Sequence, residues 1–256
     1  MTERLVILRV QRQASPTAPP RWEGFTLPWR ADLSVAACLA ELRDRAAAAA
    51  SFGAGDPGAS PAERTPIAWT ECRGRCTGAC AMRINGAARP ACTARIDALA
   101  PGVVTIQPLM KFLVLCDLIV DREPMIANIE ALRMGAVGIG AAGPAAAGAA
   151  SGDPALAVGR CTQCGLCLEA CPQVNERSDY LGPAPIVHTL LFNALPSGRA
   201  TAKQRLAAIM GRGGIADCGN AQNCVEICPE RIPLTEALAE LARQTTSVWF
   251  DGLMRR

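Results

Sequence analysis

Hydrophobic periodicity changes along this chain. Leu5-Val6-Ile7-Leu8-Arg9-Val10 is a run of strand-forming residues, and Phe25 to Trp29 reads as a second strand after a Pro-rich turn. Val35 to Ala49 has helical spacing, with Val35, Cys38, Leu39 and Leu42 on one face and Ser34 or Asp32 as the cap. The Ala/Gly/Pro/Ser-rich stretch from Ala46 to Pro61 predicts a mobile loop. Beyond Ile67-Ala68-Trp69, Met82 to Ile84 reads as a strand entering an Asn85-Gly86 turn, and Val103 to Ile106 as the final strand. These elements make a small mixed sheet with one helix. After Phe112 the pattern becomes helical: Met125 to Met134, then segments around Leu166 to Ala170, Pro185 to Phe192, Ala202 to Met210 and Leu234 to Thr245, with Pro233 placed to start the last.

The expected architecture is α+β, in three parts. Residues 1–110 form the sheet domain, residues 111–152 a connecting helix with a Gly/Ala-rich linker, and residues 153–256 an all-α domain with cysteines at its helix ends. Met134 to Gly152 is uncharged but built from Ala and Gly around Pro144. It reads as a linker, because a membrane span needs about 20 strongly apolar residues. Met1 to Val10 carries Glu3 and no apolar run with a cleavage site, so no signal peptide is expected.

Composition narrows the function. Half of the 256 residues are apolar, which supports packed cores. The net charge is +3, and from Ser151 onward ten Lys/Arg balance ten Asp/Glu. There is no Lys/Arg-rich run and aromatics are 4%, so nucleic acid is not an expected partner. The thirteen cysteines stand out. In a reducing compartment, clustered cysteines point to metal ligation rather than disulfides.

Cys161, Cys164, Cys167 and Cys171 run as C-x2-C-x2-C-x3-C with Pro172 next. That is the bacterial ferredoxin run, whose fourth cysteine ligates the other cluster. A structural zinc site would favour two C-x2-C pairs without a trailing Cys-Pro. Laid backwards from Cys228-Pro229, the same template falls on Cys218, Ala221, Cys224 and Cys228. By the crossing rule Cys161, Cys164 and Cys167 join Cys228 around a [4Fe–4S] cluster. Cys171 joins Cys218 and Cys224 at a site lacking one thiolate, which implies [3Fe–4S]; a [4Fe–4S] cluster with a non-cysteine ligand is the alternative. Earlier, Cys72, Cys76, Cys80 and Cys92 give C-x3-C-x3-C-x11-C. The plant-type [2Fe–2S] spacing is C-x4-C-x2-C with a distant fourth, so the span matches while Cys76 sits one position early. Gly74 and Gly78 would let the loop approach the sulfides.

Cys38 and Cys116 lie in apolar surroundings and read as buried structural residues. His188, the single histidine, reads as structural, so no catalytic set forms around it, and no dinucleotide or phosphate loop is present. The chain carries clusters without substrate chemistry of its own.

These residues resemble the iron–sulfur subunit of succinate dehydrogenase/fumarate reductase. The resemblance covers nearly the whole chain: Arg160 to Asn175, Ser178 to Ala184, Gly213 to Asn220 through Cys228-Pro229, and in the first half Ile84-Asn85-Gly86, Ala91 to Ala94 and Asp117 to Asp121. It implies a plant-type ferredoxin (β-grasp) domain followed by a bacterial ferredoxin-like one. It implies a relay from the FAD of a flavoprotein subunit, which oxidises succinate, through [2Fe–2S], [4Fe–4S] and [3Fe–4S] to a membrane quinone. The implied setting is peripheral, on the cytoplasmic side of the inner membrane. The branch it most resembles has a dihaem cytochrome b anchor and uses menaquinone. In ubiquinone-using relatives a histidine follows the first cysteine of the second run and a tryptophan follows the first Cys-Pro. Here Gly219 and the non-aromatic Gln173 to Glu176 stand instead, and Pro172 alone matches. Other readings are a quinol:fumarate reductase subunit, a free-standing multi-cluster carrier, and a subunit of a heterodisulfide-reductase-like or glycolate-oxidase-like enzyme. The incomplete second run and Cys72 to Cys92 argue against the last.

Overall fold

Alternation of apolar side chains builds the first half. The computed structural model describes residues 4–51, 66–72, 76–99, 101–136 and 153–254. Strand β1 (Leu5–Arg12) turns Val6, Leu8 and Val10 inward and leaves Leu5 and Ile7 outside. Strand β2 (Arg21–Pro28) pairs antiparallel with it and buries Glu23, Phe25 and Leu27. Helix α1 (Val35–Ser51) starts where the Ser34 hydroxyl accepts the Ala37 N–H at 3.1 Å, an N-cap. Its Val35, Cys38 and Leu39 enter the same core as Leu8 and Val10. The mobile loop expected from Ala46 is helix at its start: the alanine run has the highest helix propensity and carries α1 to Ser51. The rest of that stretch, 52–61, lies outside the described residues.

Strands β3 (Ala81–Ile84) and β4 (Ala87–Pro90) form a hairpin. Asn85 (φ 49°) and Gly86 (φ 79°) are both left-handed, as a tight primed turn requires. Strand β5 (Val103–Gln107) runs parallel to β1 and antiparallel to β3, giving the order β2-β1-β5-β3-β4. It is not the last strand. Strands β6 (Val114–Cys116) and β7 (Ile119–Val120) form a small hairpin that turns at Asp117 (φ 47°). At three and two residues they are too short to show a period.

The chain divides into two compact units, Met1–Asp121 and Arg122–Arg256. The segment expected as a connector is therefore shared: the β6–β7 hairpin belongs to the first unit and the next helix to the second. In the first unit, Arg12 ion-pairs with Glu23 and, through Nε at 3.1 Å, with Asp117; all three are buried. The Asp117 carboxylate also accepts the backbone N–H groups of Gln13 and Ala68, each at 2.9 Å. This ties the hairpin, the end of β1 and the segment leading to Cys72.

In the second unit, α2 (Glu123–Arg133) ends at left-handed Met134. The Gly/Ala linker beyond Ala136 lies outside the described residues. Helix α3 (Pro154–Val158) is capped by Asp153, which accepts the Ala155 N–H at 2.8 Å. Then come α4 (Leu166–Ala170), α5 (Pro183–Ala194), α6 (Ala202–Ile209), α7 (Asn223–Glu226) and α8 (Leu234–Met254). Pro183 through Phe192 are all buried, so α5 is the central helix, with α2, α3, α6 and α8 packed on it. Arg205 on α6 is fully buried. It donates to Asn193 Oδ1 at 2.9 Å, to the carbonyl of Arg133 at 3.1 Å, to the Thr201 hydroxyl at 2.9 Å and to the Gly198 carbonyl. Among the described residues no helix is long and apolar enough to cross a membrane.

Candidate cluster-binding sites

The β3–β4 hairpin brings two cysteines of the first unit together. Cys80 precedes β3 and Cys92 follows β4, and pairing of Ala81 with Pro90 leaves their sulfurs 3.5 Å apart. Two thiolates on one tetrahedral metal, each about 2.3 Å from it, stand about 3.8 Å apart. The N–H of Ala36 at the start of α1 donates to the Ala91 carbonyl at 3.0 Å, fixing the loop that carries Cys92. Gly78 is left-handed (φ 67°), which turns the chain into Cys80; Gly74 lies outside the described residues. Cys80 is buried, Cys72 half-buried, and Cys76 and Cys92 exposed.

The thiols of this unit differ in acidity. Burial raises that of Cys72, but the Thr77 hydroxyl and the backbone N–H groups of Thr77, Cys80 and Ala79 outweigh it, lowering the pKa to about 6. Both Thr77 groups lie 3.4 Å from the sulfur. Cys72 is thus held as a thiolate, the form that binds metal. Burial pushes Cys80 up to about 12, a cost that a bound iron would offset by taking the proton's place.

In the second unit, two short loops and helices repeat one plan. After Cys161 the backbone is left-handed at Gln163 (φ 54°) and Gly165 (φ 82°), and α4 follows. After Cys218 it is left-handed at Asn220 (φ 51°) and Gln222 (φ 64°), and α7 follows. The turns fall two and four residues after the first cysteine in both loops, so Ala221 stands in register with Cys164. Asn223 Nδ2 donates to the Ala170 carbonyl at 3.1 Å and joins the two helices.

The thiols ring two cavities in a crossed pattern. Cys161, Cys164 and Cys167 line one together with Cys228. Cys171, Cys218 and Cys224 line the other, with Ala221 in its wall. Gln173 packs on Gly219 there; a Cβ on that glycine would come within 2.3 Å of the Gln173 amide nitrogen. Burial pushes Cys161 up to about 12 and Cys224 to about 11, and raises Cys164 and Cys167. Such thiols would give up their protons on binding a metal.

Orphaned hydroxyls point the same way. Thr162 Oγ1 and the Tyr180 hydroxyl are buried with no hydrogen-bond partner. Thr162 faces the Cys164 thiol and Tyr180 the Cys218 thiol, so each is a donor waiting for a sulfur acceptor. No three His, Cys, Asp or Glu among the described residues gather closely enough for a single ion. Thiols spread around the corners of a cavity suit a cluster. The cysteine spacings anticipated which thiols line each of the two cavities. They did not reveal Thr77, Thr162 or Tyr180, and Tyr180 has no local signal because its partner lies far along the chain.

The remaining candidates separate. Cys38 is buried, and burial pushes its pKa up to about 12. Cys116 was expected to be buried but is half-exposed, since β6 is an edge strand. His188 is buried in α5, with Nδ1 2.7 Å from the Ala184 carbonyl. Burial, reinforced by Arg133, holds its pKa below the usual value.

Two families of iron–sulfur domain match the two parts of the chain. Residues 6–127 match a 2Fe-2S iron-sulfur cluster binding domain, and residues 157–232 a 4Fe-4S dicluster domain. The chain is 37% identical over 243 residues to the succinate dehydrogenase iron-sulfur subunit of Bacillus subtilis, covering 92% of this chain and 90% of the relative. It is 27% identical over 182 residues to the fumarate reductase iron-sulfur subunit of Wolinella succinogenes, covering 69% and 76%. A chain in the structure titled "Mycobacterium smegmatis Sdh1 complex in the apo form" shares the fold, with a TM-score of 0.66 at 20% identity over 96% of this chain and 97% of that one.

Proposed function

The chain belongs to the iron–sulfur subunits of succinate dehydrogenase and fumarate reductase, and from that premise we propose that it serves a succinate:quinone oxidoreductase. In this reading it takes electrons from the FAD of a flavoprotein subunit and relays them through [2Fe–2S], [4Fe–4S] and [3Fe–4S] to a quinone at a membrane anchor. Each cluster, when bound, supplies a one-electron redox centre. Cys72, Cys76, Cys80 and Cys92 hold the first, Cys161, Cys164, Cys167 and Cys228 the second, and Cys171, Cys218 and Cys224 the third. The observation that carries this assignment is the crossed gathering of thiols around two cavities, with Ala221 where a fourth thiolate would stand in the second.

The chain's own groups do the tuning. Thr77 and nearby backbone N–H groups stabilise the Cys72 thiolate. Burial of the second unit's cysteines keeps water away and raises the effect of every nearby dipole. The five-stranded sheet with α1 against it supports a β-grasp reading of residues 1–110, and the helices around α5 support an all-α reading of residues 153–256. The reading includes a cytochrome b-type anchor and a peripheral place on the cytoplasmic side of the inner membrane, by resemblance to the family. Gly219 beside Gln173, with no aromatic up to Glu176, supports menaquinone over ubiquinone.

Purification from membranes with subunit identification tests this. Recovery with a flavoprotein and a haem-bearing anchor, and quinone-linked succinate oxidation, is the expected result. Isolation as a stable monomer lacking both would replace it with a free-standing carrier.

A further inference from the structure

Tyr180 lies on one of two segments that are fastened to each other. Its N–H donates to the Ser178 hydroxyl at 3.1 Å, and the next N–H, of Leu181, donates to the Gly213 carbonyl at 2.9 Å. Gly213 in turn donates to the Asp217 carboxylate at 2.8 Å, one residue before Cys218. Gly213 is left-handed (φ 78°), and a Cβ there would come within 2.2 Å of the Asp179 carbonyl oxygen, so the two strands of chain cannot be spread by a side chain. Arg212 closes the outer side through an ion pair with Asp179. The phenol is thereby held in one place. It is 4% exposed and its hydroxyl has no hydrogen-bond partner; the Cys218 thiol faces it, and Cys171 and Cys224 are near enough to act on it electrostatically.

We propose that Tyr180 is a positioning residue that donates its hydroxyl hydrogen to the sulfur of Cys218 and so raises the potential of the cluster held by Cys171, Cys218 and Cys224. The proposal rests on the reading of that cavity as a cluster site. A buried phenol with no other acceptor satisfies itself by bonding to sulfur. Adding one electron increases the negative charge on the cluster and its sulfurs, so a donor stabilises the reduced form more than the oxidised one. The effect is expected at this cluster, because the cysteines that act on Tyr180 are Cys218, Cys171 and Cys224. A purely packing role would depend on the ring and be indifferent to the hydroxyl.

The test is an EPR-monitored redox titration of the intact membrane complex carrying Tyr180→Phe, beside wild type and Tyr180→Leu. The Phe variant is expected to keep a full-intensity three-iron signal while its reduced-to-oxidised ratio at a fixed potential falls about tenfold, a shift of about 59 mV to lower potential for one electron. The other two clusters are expected to keep their midpoints. A midpoint in Tyr180→Phe equal to wild type, with loss of signal only in Tyr180→Leu, would show that the ring merely packs and would overturn the proposal. An equal shift of all three clusters would overturn it too. If wild type gives no three-iron signal, the assignment of cluster type fails separately, and the phenol is judged by the same shift in whatever reduced signal that cavity's cluster gives.

Discussion

Ala221 carries the sharpest consequence of any side chain in this molecule. The left-handed pair at Asn220 and Gln222 repeats the pair at Gln163 and Gly165, so a thiol at position 221 would point where Cys164 points in its own cavity. Ala221→Cys is expected to convert the third site to [4Fe–4S]. Electron delivery to quinone then slows, while succinate oxidation with an acceptor at the flavin stays near wild type. Retention of the oxidised three-iron EPR signal at full strength would show that the register is wrong. Cys76 poses the reverse question, because its spacing departs by one residue. One residue moves a Cα by about 3.8 Å, which the Gly78 turn helps absorb. Cys76→Ser is expected to abolish or strongly change the reduced [2Fe–2S] spectrum, and an unchanged spectrum would remove it from the ligand set. The grouping of the second unit's cysteines was legible because thiolate spacing is set by cluster geometry. Thr77 and Tyr180 were not, because a hydroxyl's partner is decided only when distant segments meet.

At the scale of elements, two buried polar groups decide how firmly the parts hold. Asp117 anchors the β6–β7 hairpin to Arg12, Gln13 and Ala68, and Ala68 leads directly toward Cys72. Asp117→Asn leaves the buried guanidinium of Arg12 with one carboxylate fewer. It is expected to cost about 3 kcal/mol of stability, read from urea unfolding of the cluster-loaded chain, with early loss of [2Fe–2S] absorbance. Helix α5 carries the other group. His188 is buried neutral, its Nδ1 on Ala184 O, with Arg133 of α2 as the charged neighbour facing it. Its folded pKa lies below the unfolded value of about 6.5, so the unfolded chain binds the proton first. Stability should therefore fall as pH drops below that value, and His188→Gln should flatten this slope between about pH 7.5 and 5.5. An identical slope in both proteins would assign the effect to other groups. Long helices with clear periods, α1, α2, α5, α6 and α8, were legible in the sequence. Helix α3, helix α7 and the β6–β7 hairpin were not; four residues in α7 and three in β6 carry no measurable period.

At the scale of the whole molecule, the change of period near Phe112 marked two halves, and two units are what the chain forms. The boundary falls later, after Asp121, because the Asp117 network holds the last hairpin to the first sheet. Each unit contains all the cysteines proposed for its own clusters: Cys72 to Cys92 lie in Met1–Asp121, and Cys161 to Cys228 lie in Arg122–Arg256. No cluster then needs a thiol from both, and the three sites should load independently across the boundary. The anaerobically prepared chain is expected to hold about nine irons, two, four and three from the three cluster types. Cys80→Ser should lower this to about seven, removing the [2Fe–2S] signal while the other two clusters keep theirs in full. The mutation removes the buried partner of the 3.5 Å thiol pair but touches no group of the second unit. Parallel loss of iron from all three sites would mean that cluster assembly is a property of the chain as one body, and the division of labour between the units would have to be abandoned.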